Sequence, residues 1–470
     1  MLTSLLTRLV YALVLLGMIS ILAFGMSRLV PGDEILDYLS IDDSRYSSSA
    51  DALEQRNAYA KVAAKRGLDL PVFYFSITPG YYPDSLFRLT PAADRDAVIE
   101  WIRASKNKEG SLRLHHDLRA ALSHVCPQSD TSAIADQWCA EIGALLNTEN
   151  LFTVHHGIIR LRDAEHADDP SWTILSQQLQ KDIDVLVGTS ASWTTWDLLP
   201  AFRWHGTHNQ YHRWLIDFIT FKPVTSLIDG RNAWLKILEA LKWTLLLNGL
   251  AFVLAICLGM WIGIWSAKHD GQQGEKVVTT MLFAWFAIPG FWLATLLIYF
   301  LASGEWLTLF PAGGLGPYHS GIGMAEKSVI IARHFTLPVL CLAMGSLAYV
   351  SRQMKQSVLN QFGQPYVMAL RAQGIAEKNI LRKHVIRNAL FPMITMIGGA
   401  LPALLSGSLI IEVIFSIPGM GRLLYTSLMA RDWPVVFPVL MLGAAVTVIA
   451  YVLTDVIYKW ADPRVKSLEP

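Results

Sequence analysis

About six long apolar runs constrain this chain more than any other feature. One lies near the N-terminus, from Leu9 to about Val30, and nothing comparable follows until Trp243. The others crowd the C-terminal half: Trp243 to Ala267, Val277 to Ala302, Val329 to Val350, Ala389 to Ile411 and Val435 to Trp460. At a rise of about 1.5 Å per residue, each can cross the hydrocarbon of a bilayer. Across 470 residues, 53% hydrophobic and only 16% charged side chains exclude an ordinary soluble enzyme. Gly259, Gly263, Pro289, Gly290, Gly398, Gly399 and Pro402 recur inside the runs. Membrane helices tolerate such residues when neighbours re-satisfy the backbone and small side chains allow close packing. The expected fold is an all-α integral membrane protein, a bundle of about six transmembrane helices.

Basic residues set the expected orientation. Lys268, Lys276, Arg352, Lys355, Lys378 and Lys459 fall on one side once the helices alternate, which predicts that both termini are cytoplasmic. The long stretch after the first helix, and the loops around Gly313 and Gly419, then face outward. The N-terminal run admits a second reading, because Arg8, an apolar core and the small-residue site Ala23-Phe24-Gly25 resemble a cleavable signal peptide. The run continues to Val30, beyond the usual signal-peptide core of about 7 to 15 residues, which favours an uncleaved anchor.

Residues 31–235 change in character. Charges of both signs return, as in Asp42 to Ala50, and the segment reads as a soluble, mostly helical periplasmic region. Helical patterns cover Asp51 to Arg66, Asp94 to Ser105, Leu112 to Val125, Thr131 to Leu146 and Ser171 to Leu186, and strands are hard to find. Cys257 and Cys341 lie inside apolar runs and read as small packers. Cys126 and Cys139 lie in the outer region, where an oxidising compartment permits a bridge; two buried thiols are the other reading. His205, His208 and His212 recur at helical spacing, but no carboxylate or thiolate completes a metal-binding pattern, so no metal site is expected. The aromatic group Trp193, Trp196, Trp204, Tyr211 and Trp214 reads as a partner face, a belt near the bilayer surface or core.

The segment 351–388 is basic and helix-prone, too long for a plain connector, although a solvated face is the bland alternative. Tyr366 to Gln373 predicts a short amphipathic helix, Gly374 a stop with positive φ, and Ala376 to Asn388 a second helix. These residues resemble the permease subunits of dipeptide, oligopeptide and nickel ABC importers. The resemblance rests on Tyr366 to Gly374 (Tyr-Val-Met-Ala-Leu-Arg-Ala-Gln-Gly), Arg387 to Pro392 and Glu412 to Arg422. It continues through Arg431-Asp432-Trp433-Pro434 and through Asp455 to Arg464. Met368 stands where the family's loop nominally begins with an acidic residue. Upstream, Pro31-Gly32-Asp33, Gly67 to Pro71 and Gln210 to Leu215 resemble pieces of the family's first outer loop, set apart by a domain-sized insert at about residues 76–209. The resulting layout is a first transmembrane helix over 1–30, a periplasmic region over 31–235, and a five-helix core over 236–470 carrying the loop 351–388.

The resemblance implies that Tyr366, Ala369, Arg371, Ala372, Gly374, Glu377, Arg382, Arg387 and Asn388 form the loop that engages separate ATPases. It marks Glu412, Phe415, Pro418, Gly419, Gly421, Arg422, Asp432 and Pro434 as an outer-loop motif, and implies a path lined by the second, third, fifth and sixth helices. Glu412 and Asp455 lie near expected helix ends, where pairing with a basic side chain or water is the simpler role. Expected partners are a second permease chain, two ATP-binding subunits, a periplasmic solute-binding protein and the bilayer of the bacterial inner membrane; nucleic acid is not among them. No cofactor is expected on this chain, with ATP and Mg on the partner subunits. In keeping with this, no Gly-x-x-x-x-Gly-Lys-Ser/Thr phosphate loop occurs. A membrane enzyme would call for a motif such as His-Glu-x-x-His or Gly-x-Ser-x-Gly, and neither is present. A receptor would call for a cytoplasmic signalling domain, for which the residues after Trp460 leave no room. Peptides are the first expectation for the cargo, and nickel or other metal complexes the alternative.

Overall fold

The computed structural model describes residues 2–29, 33, 35–36, 39, 52–127, 133–163, 170–188, 192–304, 306–317, 323–406 and 408–461. Pro31, Gly32, Asp42 to Ala50, His166, Arg464 and the side chain of Asp455 lie outside the described residues. The chain divides into two compact units, Met1–Ser27 with Pro223–Pro470, and Arg28–Lys222.

In the first unit, four helices among the described residues are long and apolar enough to cross a membrane. They are the N-terminal helix Leu2–Leu29, then Ala233–Lys268, Met324–Phe362 and Trp433–Ala461. A fifth candidate is a bent pair, Gln273–Phe286 with Gly290–Leu301, whose halves meet at 100°. The sequence reading expected one straight span there, from Val277 to Ala302. Pro289 explains the break: it lacks an N–H, its ring collides with the carbonyl four residues back, and it sits in an extended conformation (φ −57°, ψ 135°) before the second half. The run expected from Ala389 to Ile411 is likewise two pieces, Ile386–Ser406 and Leu409–Ile414.

Small residues bring the two longest helices together. A Cβ on Gly259 would fall 2.6 Å from Val350 Cγ1, and one on Gly263 would fall 2.5 Å from the Ser351 carbonyl, so only glycine permits this approach. Large apolar side chains such as Leu238, Val253 and Trp261 stay exposed on the same Ala233–Lys268 helix. In water that surface would aggregate; in hydrocarbon it is the expected exterior. Cys341 is buried as expected, whereas Cys257 is exposed.

The second unit is helical around one apolar core. Ala92–Ser105 buries Val98, Trp101 and Ile102, and Lys108–Val125 buries Leu114, Leu118, Ala121 and Leu122, each at three- and four-residue spacing. Asn107 caps the second helix by accepting from the Gly110 N–H at 2.9 Å. Helices Ala52–Arg66, Ala133–Leu146 and Pro170–Gly188 lie where the periodicity places them; Leu151–Asp163 is one the reading missed. Cys126 and Cys139 are joined by a disulfide 13 residues apart in sequence. Closing a loop of that length restricts the unfolded chain by about 3 kcal/mol.

Strands are present after all. β1, Phe75–Pro79, pairs antiparallel with β2, Pro200–Trp204, in the register Phe75 to Trp204. The reading overlooked them because the segments are five residues each and are separated by all the intervening helices. The pairing also separates the three histidines thought to share a helix. His205 follows β2, His208 lies in the turn, and His212 is on the helix Gln210–Ile219. Nor do the five aromatics form one cluster: Tyr211 is buried beside Phe73, Trp193 packs on Tyr81, and Trp196 is 81% exposed.

A polar staple crosses the core of this unit. Asp94, fully buried, pairs with Arg56, and its other oxygen lies 3.1 Å from His115 Nε2. Arg56 donates onward to the Gly143 carbonyl at 3.1 Å and to Asn147 Oδ1 at 2.7 Å, so three helices meet at one guanidinium and His115 adds a fourth through Asp94. Removing one member of a buried pair strands the other's charge, at a cost of about 3–5 kcal/mol. Asp94→Ala is expected to unfold this unit at a lower denaturant concentration while the membrane unit keeps its own transition, as followed by hydrogen exchange of the purified chain. An unchanged exchange profile would remove the staple's role.

Candidate functional site

Two groups of residues stand out in the membrane unit. The first is a hairpin after the Met324–Phe362 helix. Pro365 occupies the first turn of the helix Pro365–Ala372, where its missing N–H costs nothing. Gly374, at φ +77°, stops that helix. Its N–H donates to the Arg371 carbonyl at 2.9 Å, and the Ile375 N–H donates to the Leu370 carbonyl at 3.2 Å. This bond pair is the Schellman stop that glycine makes at low cost. The second arm departs from the sequence reading, which ended a separate helix at Asn388. Glu377–Ile380 passes through a wider turn, Leu381–Val385, straight into Ile386–Ser406, because neither proline nor glycine interrupts Glu377 to Leu390. The hairpin is therefore continuous with a long apolar helix.

Its underside is apolar. Val367, Ile380, Leu381, Val385 and Ala389 bury against Ala267, Val350, Met354 and Val358. Its upper surface is polar and open: Ala369, Arg371, Ala372, Gly374, Glu377, Arg382 and Arg387 are exposed, together with Met368. Tyr366 and Asn388 are half-buried and hold the base, with Asn388 Nδ2 donating to the Tyr366 hydroxyl at 3.2 Å and that hydroxyl donating to Gln361 Oε1 at 3.0 Å. Arg371 donates to Glu377 Oε1 at 2.6 Å across the turn and stands 5.9 Å over the Phe362 ring. That exposed ion pair shapes the turn more than it stabilises it.

One neighbouring feature escaped the sequence reading. Lys355 Nζ lies 2.8 Å from Asp270 and 2.9 Å from Glu275, and Thr279 donates to the same Glu275 oxygen at 2.7 Å. Glu275 is 4% exposed, so the Met324–Phe362 helix is tied by charge to the start of the bent pair. A carboxylate and an ammonium flanking otherwise apolar runs were the available signal, but pairing at a separation of 80 residues is not readable from one sequence.

The second group surrounds Glu412. It is fully buried, and accepts from Thr244 Oγ1 at 2.8 Å and from the Arg422 N–H at 3.1 Å. Thr244 Oγ1 in turn accepts from the Met420 N–H at 2.7 Å. A hydroxyl and a backbone amide satisfy Glu412, in place of the basic side chain that was one of its two expected partners. Gly419 and Gly421 make room, since a Cβ on either would come within 2.4 Å of Glu412 Cδ or 2.5 Å of Leu409 Cα. Phe415 is buried, and its carbonyl accepts from the Gly314 N–H at 2.8 Å, which joins the two loops around Gly313 and Gly419. Pro418 connects this turn to Gly419, and Arg422 donates to the Ser416 carbonyl. Asp432, also buried, accepts from Ser226 Oγ at 2.5 Å and the Leu227 N–H at 2.9 Å, and Pro434 sits in the first turn of the helix Trp433–Ala461. The motif residues therefore form a latch between separate stretches of chain. Among the described residues, no group of three or more His, Cys, Asp or Glu is placed to hold a metal.

Known proteins are similar to this chain in sequence. Residues 259–467 match the family model for the binding-protein-dependent transport system inner membrane component. The chain is 31% identical over 258 residues to the oligopeptide transport system permease protein AppB of Bacillus subtilis, covering 55% of this chain and 80% of that protein. It is 33% identical over 263 residues to the inner membrane ABC transporter permease protein YejB of Escherichia coli O157:H7, covering 55% of this chain and 71% of that one. A putative peptide transport system permease protein of Brucella abortus is 32% identical over 258 residues, covering 55% of this chain and 79% of that protein. With the apolar helices, these matches place it as a multi-pass protein of the inner membrane. The chain belongs to the binding-protein-dependent transport system inner membrane components, the membrane-spanning permeases of ABC importers, within the dipeptide, oligopeptide and nickel group.

Proposed function

We propose that this chain forms half of the translocation path of an ATP-driven importer for peptides or similar small solutes. A periplasmic binding protein delivers the solute, and hydrolysis occurs on two partner ATPases, which hold ATP and Mg. The observation that carries the reading is the Gly374 hairpin, with its apolar underside locked to the bundle and its polar upper face left open. Such an element passes a push from outside the membrane into the Ile386–Ser406 helix with which it is continuous, which is what switching between outward and inward states needs. In this reading the exposed Ala369, Arg371, Ala372, Gly374, Glu377, Arg382 and Arg387 meet the ATPase, and the hairpin and both termini face the cytoplasm.

The unit Arg28–Lys222 then faces the periplasm, where a disulfide between Cys126 and Cys139 is at home. There it docks the binding protein, shields the mouth of the path or contacts the cell wall. Peptides are favoured as cargo because the relatives above carry peptide and oligopeptide transport in their names. Affinity purification of the tagged chain from its native membrane is expected to recover a second permease chain and two ATPases, and the vesicles are expected to take up labelled peptides on addition of ATP and binding protein. Recovery of the chain without ATPases, under conditions that keep other importers intact, would overturn the reading. Uptake of a nickel complex in place of peptides would replace the cargo alone.

A further inference from the structure

The unit Arg28–Lys222 contains a cavity that the transport reading does not use. Its volume is about 520 Å³, within the range of about 300–1,000 Å³ typical of small-molecule sites. Val72, Phe73 and Phe75, on and just before β1, give it an apolar wall, and Leu86, Phe87 and Ile99 line it too. Arg95 and Ile99 are one turn apart on the helix Ala92–Ser105, and both reach this space.

The polar groups that open on the cavity are unequal. Arg203 is paired with Asp84 and donates to Thr78 Oγ1 at 3.0 Å. His205 is held by Ser76 Oγ at 2.9 Å and by the edge of the Phe87 ring. Among the described residues Arg95 makes no ion pair, although it lies within electrostatic reach of the Tyr59 hydroxyl. Asp84 is the one carboxylate among the lining residues, and Arg203 occupies it. A guanidinium that makes no ion pair among the described residues, at the edge of an apolar cleft, favours an anion that brings its own apolar body. Its planar fork suits a carboxylate in particular.

We propose that this cavity binds an amphipathic carboxylate, with the apolar body between Phe73, Phe87 and Ile99 and the carboxylate on Arg95. The C-terminal residue of an apolar peptide and a medium-chain fatty acid share this chemistry. The site lies within one compact unit and does not depend on the transport reading. The test uses the full chain in neutral-lipid nanodiscs, titrated calorimetrically with N-acetyl-Leu-Phe, with its C-terminal amide and with octanoate, and corrected against empty nanodiscs. At least one acid is expected to bind, with the tighter of the two identifying the source, and the amide is expected to bind at least tenfold more weakly than the free peptide acid if the peptide is that source. Arg95→Gln should weaken the bound acid at least tenfold, Arg95→Lys should restore part of the loss, and Ile99→Trp, which fills the cleft while keeping Arg95, should abolish binding. Near-UV circular dichroism identifies any variant that has lost its fold, in which case the remaining variants decide. Absence of binding by either acid, equal binding of peptide acid and amide where the peptide acid is the tighter ligand, or parental affinity in folded Arg95→Gln would overturn the proposal.

Discussion

Gly374→Trp is expected to abolish solute uptake while leaving the purified chain folded and ATP hydrolysis by its complex running. The separation of these effects follows from the geometry. Gly374 sits at φ +77°, where a side chain costs about 1–2 kcal/mol of backbone energy. A Cβ there would meet nothing within 4 Å, so no clash inside the chain adds to that cost. The indole would instead project from the exposed surface of the hairpin, into the volume that the proposed ATPase contact needs. Gly374→Ala separates the two contributions: it carries the backbone cost without the bulk, and should keep most of the uptake. The measurements are ATP-driven uptake into proteoliposomes, ATPase rate in the same preparation, and thermal unfolding of the isolated chain. A loss of at least about tenfold in uptake, which corresponds to about 1.4 kcal/mol at the contact, with a nearly parental unfolding midpoint is the expected pattern. Parental uptake by the Trp variant would remove the hairpin from the coupling path.

Much of this was legible in the sequence, for identifiable reasons. Long apolar runs announce membrane helices because hydrocarbon leaves the backbone few alternatives. The Gly374 stop was legible because a helical pattern that ends at glycine has one common solution. What escaped was non-local or short. The β1 and β2 pairing joins five-residue segments across all the helices between them, and periodicity cannot detect it. The 100° bend at Pro289 was signalled by the proline itself, but an apolar composition that continues on both sides hid it. Lys355 was read as one more basic residue of an orientation pattern, and only the fold brings it to Asp270 and Glu275. The environment of Glu412 was not legible, because its partners Thr244 and the Arg422 N–H are brought to it by the fold. The Arg422 guanidinium itself turns to the Ser416 carbonyl.

That latch is the basis of the second large effect. Glu412→Ala would leave the Thr244 hydroxyl and the Arg422 N–H without acceptors in a buried site, and would open a cavity beside Gly419. Each stranded polar group costs about 1–3 kcal/mol, and the cavity adds to it. Gly421→Ala attacks the same contact from the other side. Its Cβ would lie 2.5 Å from Leu409 Cα and 2.8 Å from Leu409 N, which are backbone atoms that no rotamer change can move away. Both variants are expected to fall out of detergent solution as aggregates, read as loss of the monodisperse peak in fluorescence-detected size-exclusion chromatography. Glu412→Gln keeps the shape and the acceptor for Thr244, but presents an amide N–H or a neutral oxygen to Arg422, so an intermediate yield is expected. The ordering of parent, Gln and then Ala tests whether acceptor chemistry or mere volume holds the loop. If Gly421→Ala runs as a parental peak, Leu409 and the turn are not in the close contact that this latch requires, and the Glu412 site stabilises the loop by some weaker means.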